Sequence, residues 1–210
     1  MSGLTDFQVE VARLFFELPA SDGFLLAGGG ALLASGLTSR PTHDLDFFGA
    51  PDDVDVAAAR DQFEATVAGR GWRSERLHDS TTFVRVHLTG DEELIVEFAI
   101  DSAAGRPPVV SIVGPTFDPE ELAGRKLVAL FGRAEARDFA DVYVLAQRFG
   151  RATLLERARE VDPGFDSSVL SEMLRTLDRF VDDEIPIDAD EVPAVRAFFR
   201  WWAAELSGQR

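Results

Sequence analysis

Phe24-Leu25-Leu26-Ala27-Gly28-Gly29-Gly30-Ala31-Leu32-Leu33 and, with thirteen residues between Gly30 and Asp44, Asp44-Leu45-Asp46-Phe47-Phe48 are the two stretches from which the architecture is read. Four apolar residues ahead of three glycines predict a short buried strand. It turns at Gly28, Gly29 and Gly30 into a helix from Ala31 to about Gly36. Asp44 to Phe48 predicts a second strand, whose period of two sets both carboxylates on one face and Leu45 and Phe47 on the other. Two carboxylates so placed stand at a separation that a hard divalent cation can bridge. They are equally what two ordinary surface acids look like, since the chain carries 37 Asp and Glu. A glycine turn opening a helix is a place where backbone N–H groups receive phosphates, or simply a tight turn. It is not a dinucleotide fingerprint, because Leu33 stands where the last glycine is required. No Gly-Lys-Ser/Thr follows, so it is not a P-loop either.

Outward from this pair, Thr5 and Gln8 predict a capping box for a first helix that carries Phe7, Val11, Leu14, Phe15 and Leu18 at helical spacing up to Pro19. A helix is predicted over 52–68 and strands over 81–88 and 93–100, joined by a turn at Thr89-Gly90-Asp91. A further short strand is predicted at 109–113, within the Pro-rich run 106–115. In Leu94-Ile95-Val96-Glu97-Phe98-Ala99-Ile100, Glu97 is an acid set in an apolar strand. If buried it must be paired or metal-bound; if the strand is half exposed it faces solvent. Asp101 shares its parity and is the alternative. From Asp118-Pro119-Glu120-Glu121 onward the pattern is helical, with Gly132 as a stop and helices near 135–149, 151–160, 167–181 and 190–206. The fold class is therefore α+β: a lobe over 1–115 built on a small mixed sheet with flanking helices, then an all-α lobe over 116–210.

Composition narrows the function. The 210 residues contain no cysteine, which excludes disulfides, thiolate metal sites and cysteine nucleophiles. The net charge of −16 repels nucleic acid and anionic membranes at long range, so a polyanionic partner must be met by a local basic surface or bound cations, and neither DNA nor a membrane is expected as a partner. No run reaches the roughly 18 apolar residues of a membrane span, and the start lacks a basic leader, so a cytoplasmic location is expected. His43, His78 and His87 do not fall at zinc-ligand spacing. Phe198, Phe199, Trp201 and Trp202 read first as core packing. Lys126 is the single lysine among 21 basic residues, at a position where a compact ammonium replaces the arginine used elsewhere.

The strand, the Gly-Gly-Gly turn, the hydrophobic–Asp–hydrophobic–Asp pattern and an acid on a later strand together resemble the polymerase-β-type nucleotidyltransferases. Gly-Gly-Gly-Ala-Leu with Arg40-Pro41-Thr42-His43-Asp44-Leu45-Asp46 looks like the AbiEii/AbiGii toxin branch, which includes the MenT toxins. A second block, Glu121 through Lys126 to Leu130, then Arg133 and Arg137-Asp138-Phe139-Ala140-Asp141, resembles that branch's Lys helix and Arg-Asp-x-x-Asp helix. Glu97 departs from the aspartate that many relatives show.

The resemblance implies transfer of a nucleoside monophosphate from an NTP to an acceptor hydroxyl with release of pyrophosphate. Asp44 and Asp46 would hold two Mg²⁺ ions, with Glu97 completing one of them. Gly28, Gly29 and Gly30 would receive the triphosphate, with Thr42 and Arg40 beside it. Lys126 matches the catalytic lysine and Asp141 the acid that supports it, with Asp138 the competitor for that role. Arg133 and Arg137 are candidate phosphate or acceptor contacts. The implied acceptor is a tRNA 3′ end, with pyrimidine nucleotides as donors and a cognate antitoxin as partner. A small-molecule acceptor of the aminoglycoside kind, a protein acceptor, and a degenerate nucleotide-binding protein are the alternatives.

Overall fold

The capping box forms as the sequence requires. Gln8 N–H donates to the Thr5 hydroxyl at 3.1 Å, Thr5 N–H donates to Gln8 Oε1 at 3.0 Å, and helix α1 runs from Asp6 to Phe16. The computed structural model describes residues 3–208; residues 1–2 and 209–210, the outermost of the two expected lobes, lie outside them. Two compact units divide the chain, 1–119 and 120–210.

In the first unit α1 is followed by β1 (Leu25–Ala27), α2 (Gly28–Ala34), β2 (Asp44–Gly49), α3 (Val56–Gly69), β3 (Arg73–Asp79), β4 (Phe83–Thr89), β5 (Glu93–Ile100), β6 (Val109–Val110) and β7 (Pro115–Thr116). These seven strands make one mixed sheet in the order β3-β4-β5-β2-β1-β7-β6. The β2–β5 and β1–β7 pairs are parallel and the rest antiparallel. Leu45 and Phe47 of β2 and Val96 and Phe98 of β5 are fully buried. Phe15 of α1 packs on Phe47 at 4.2 Å between ring centroids, and Phe63 of α3 on Phe98 at 5.4 Å. Both helices thus cover the same face of the sheet. By alternation, Asp44, Asp46 and Glu97 stand on the other face.

The sequence pattern misplaces three elements. The glycines are the first turn of α2 rather than a turn ahead of it; only Gly28 takes a left-handed φ of +59°. Strand β3, Arg-Ser-Glu-Arg-Leu-His-Asp, has one large apolar side chain, Leu77, and that one is exposed, so no alternation announces it. It is an edge strand, paired to β4 and laced to α3 by Arg76–Glu64 and Arg60–Asp79, the charges that keep an edge from pairing further. Of the strand expected over 109–113 only Val109–Val110 forms, as β6, and β7 lies beyond it at Pro115–Thr116.

The second unit is helical: α4 (Pro119–Arg133), α5 (Ala136–Phe149), α6 (Arg151–Val161), α7 (Ser167–Arg175), 3₁₀ turns at 176–179 and 182–184, and α8 (Val192–Leu206). Helix α4 runs through Gly132 and stops at Arg133, where Ala134 takes a φ of +49°. Gly124 lets α4 lie against α6: a Cβ there would fall 2.5 Å from Arg157 Cβ and 2.7 Å from the Arg157 carbonyl carbon. Phe139, Phe199 and Trp202 form the core. Trp201 turns outward, with the Arg151 guanidinium 3.8 Å from its ring centroid, so only part of the aromatic run on α8 is core packing. The expected α+β class, a mixed sheet followed by helices, is the one observed.

Candidate active site

β2 brings two acids out on one face, and its neighbours determine what surrounds them. Asp46 lies in antiparallel register with Ala27, the residue before Gly28, and in parallel register with Glu97. A Cβ on Gly28 would sit 1.6 Å from Asp46 Oδ2 and 2.7 Å from its Cγ. The absence of a side chain at Gly28 is therefore the space the Asp46 carboxylate occupies. A Cβ on Gly29 would sit 2.8 Å from Thr42 Oγ1 and 3.6 Å from Arg40 Nη2. The Thr42 hydroxyl in turn donates to Asp44 Oδ1. Gly28, Gly29, Arg40, Thr42, Asp44 and Asp46 are thus in one neighbourhood. A Cβ on Gly30 would instead sit 3.1 Å from Leu45 Cδ2, so Gly30 faces the core and not the acids.

Asp46 is 8% exposed and Thr42 8%, so both are held rather than free to swing. One residue that the sequence presents only as half of a capping box has a second task. Gln8 is buried, and while its Oε1 accepts from Thr5, its Nε2 donates to the Thr42 carbonyl at 2.8 Å. α1 is thereby pinned to the segment that leads into Asp44. Gln8→Glu keeps the acceptor for Thr5 but turns a carboxylate lone pair on the Thr42 oxygen. A loss of about 1–3 kcal/mol is expected from the unsatisfied buried group, together with a fall in kcat of about tenfold as Thr42 and Asp44 loosen. Thr5→Ala removes the cap, about 1 kcal/mol, and leaves the Thr42 bond. It should lower the melting midpoint without lowering kcat, so kinetics on the two variants side by side separate positioning from mere stability.

Glu97 is nearly buried and is already paired. The Arg85 guanidinium of β4 reaches its Oε1 at 2.6 Å through both Nε and Nη2. Arg85 was not singled out in the sequence, although a hairpin turning at 89–93 sets 85 opposite 97. Asp101 lies beyond the end of β5, where its carboxylate accepts from Ser102 N–H at 2.7 Å. Among the described residues no group of three His, Cys, Asp or Glu is gathered in a metal-binding arrangement. Asp44 and Asp46 alone still fit Mg²⁺, which takes one or two carboxylates and fills its remaining positions with water and substrate phosphate.

In the helical unit, two ion pairs tie α4 to α5. Lys126 Nζ meets Asp141 Oδ2 at 2.9 Å, with side-chain exposures of 10% and 0%. Arg133 takes Asp138 in a fork, Nε and Nη2 each 2.9 Å from one oxygen. Asp138 is therefore Arg133's partner and Asp141 is Lys126's. Of the other arginines, Arg125 pairs with Glu121 on its own helix, Arg137 with Glu135, and Arg151 with Glu205.

Two acids on one strand face, one of them buried against a glycine-started helix, on a mixed sheet followed by helices, are the features of a nucleotidyltransferase, and solved structures agree on the fold. The chain resembles JHP933 from Helicobacter pylori at 19% identity, covering 95% of this chain and 92% of that one with a TM-score of 0.55. It also resembles MenT4, a nucleotidyltransferase toxin of Mycobacterium tuberculosis, at 17% identity over 97% and 85% of the two chains with a TM-score of 0.59. No curated protein sequence matches closely enough to count as a relative. The chain belongs to the nucleotidyl transferase AbiEii toxin family of type IV toxin–antitoxin systems, whose sequence model matches residues 11–193.

Proposed function

We propose that this nucleotidyltransferase carries a nucleoside monophosphate from an NTP to the 3′ end of tRNA in an Mg²⁺-dependent reaction, as the toxin of a toxin–antitoxin pair. The observation that carries the reading is the contact of Gly28 with the Asp46 carboxylate, beside Thr42 on Gly29 and Asp44. It sets a phosphate-receiving helix start next to two acids on one strand. A divalent cation held by Asp44 and Asp46 supplies neutralising charge for the triphosphate and for the leaving group. The residues do the rest. Backbone N–H groups of α2 and the Arg40 guanidinium take phosphate oxygens. The acceptor oxygen bonds to the α-phosphorus, the bond to the bridging oxygen breaks, and the hydroxyl proton passes to a carboxylate of this face. Lys126, whose ammonium spends one of its three donors on Asp141, has donors left for the departing pyrophosphate. Glu97, now paired with Arg85, would be the residue that joins Asp44 and Asp46 in holding a second ion.

The test is incorporation of α-labelled NTP, each nucleotide in turn, into total tRNA with Mg²⁺. Label in tRNA from one NTP is expected and would also identify the donor. A cationic small acceptor is the second reading. It is favoured by the −16 charge and by the acids already paired with Arg125, Arg133, Arg137 and Arg151. Label entering an aminoglycoside while tRNA stays unlabelled would establish it.

A further inference from the structure

A cavity of about 370 Å³ opens in the helical unit, at the end of α4 and along α7. Its size is that of a site for a nucleotide-sized ligand. Arg133 stands on one side, with its guanidinium already aimed by the fork to the buried Asp138. Arg179 stands on another and, among the described residues, makes no ion pair or hydrogen bond, which separates it from the paired arginines above. Met173 and Phe180, half-buried, give the cavity apolar surface, and the exposed Glu172 is an acceptor at its rim. Cations, an aromatic face and one carboxylate together match the parts of a nucleotide: phosphate, base, and ribose hydroxyl or exocyclic amine.

The place is as informative as the chemistry. Arg133 follows Lys126 by seven residues on α4, two turns along nearly the same face. That is about 10 Å, the rise of about three stacked nucleotides. We infer that this cavity is a subsite for RNA, seating a nucleotide of the acceptor strand about three positions from its reacting end, with Arg179 on phosphate and Phe180 under the base. The inference rests on the tRNA reading above and adds the residues that would grip the acceptor.

Two measurements on the full chain test it: tRNA binding by fluorescence anisotropy across a salt series, and KM for tRNA and for NTP in the labelling reaction. Arg179→Glu and Phe180→Ala are the variants. Arg179→Glu is expected to raise both the dissociation constant and the KM for tRNA about tenfold. It should also flatten the slope of log K against log salt by about one. KM for NTP and the melting midpoint should stay unchanged, because Arg179 is exposed. Phe180→Ala is expected to weaken tRNA binding without changing the salt slope. Wild-type binding and salt slope in Arg179→Glu would overturn the subsite while leaving the transfer reaction intact. Binding that falls in Arg179→Glu, in a protein that labels no tRNA, would keep the subsite and remove the transfer reading. A wild-type protein that does not bind tRNA removes both.

Discussion

Asp46→Asn is expected to lower nucleotidyl transfer by about a thousandfold or more, with little change in the shape of the site. The substitution keeps the volume of a side chain wedged against Gly28 and removes only the charge. Loss of a single preorganised electrostatic group costs about 10²–10³ in rate, and loss of a metal-holding carboxylate should exceed that, because the cation's whole contribution goes with it. A second readout separates this from damage to the fold. A ligand that binds only the folded state raises the melting midpoint by mass action, so wild-type protein should gain a few degrees when Mg²⁺ and a non-hydrolysable NTP are added together. Asp46→Asn should melt like the wild type without them and gain nothing with them. Transfer near the wild-type rate would mean that Asp46 holds no catalytic cation. An undiminished thermal shift beside lost transfer would place the defect in the chemical step instead of in binding.

How much of this was legible before the structure depends on how local each signal is. The strand carrying Asp44 and Asp46 follows from a period of two over five residues, and the capping box from two side chains three residues apart. Both are settled by neighbours in sequence. The AbiEii family likewise rests on two blocks in the right order. The task of Gln8 is not local: its bond to Thr42 spans 34 residues and depends on how α1 crosses the sheet. Strand β3 left no pattern because an edge strand with charged side chains need bury neither face. The pairing of Glu97 was half legible. An acid in an apolar strand demands a partner, and the hairpin register names Arg85 once the turn is accepted. Arg179 and Phe180 carry no motif at all; the 3₁₀ turn after α7 places them beside Arg133, and only the fold does so.

The Lys126–Asp141 pair yields the second large effect, and stability and activity part company there. Asp141 is fully buried and Lys126 nearly so. Lys126→Ala therefore removes the ammonium from a buried carboxylate in the helical unit, and breaking a buried ion pair by deleting one partner typically costs about 3–5 kcal/mol. Activity should fall about 10²–10³-fold, but a partly unfolded protein would give the same answer, so the single variant proves little. Replacing both partners by apolar residues of similar volume resolves it, since removing a whole buried ion pair is often neutral or stabilising. The double variant Lys126→Met/Asp141→Leu should recover most of the melting midpoint lost by Lys126→Ala and none of its activity. Asp141→Asn should do the reverse: the ammonium remains, less firmly aimed, and transfer falls only about tenfold. If the double variant regains transfer, the pair is an architectural strut between α4 and α5, and the positive charge at the leaving phosphate must come from an arginine. If it regains only stability, the one lysine in a chain of 20 arginines is kept for its chemistry. A compact ammonium can hold Asp141 with one donor and turn the others to phosphate, whereas a planar guanidinium forked onto the carboxylate has its donors fixed in one plane.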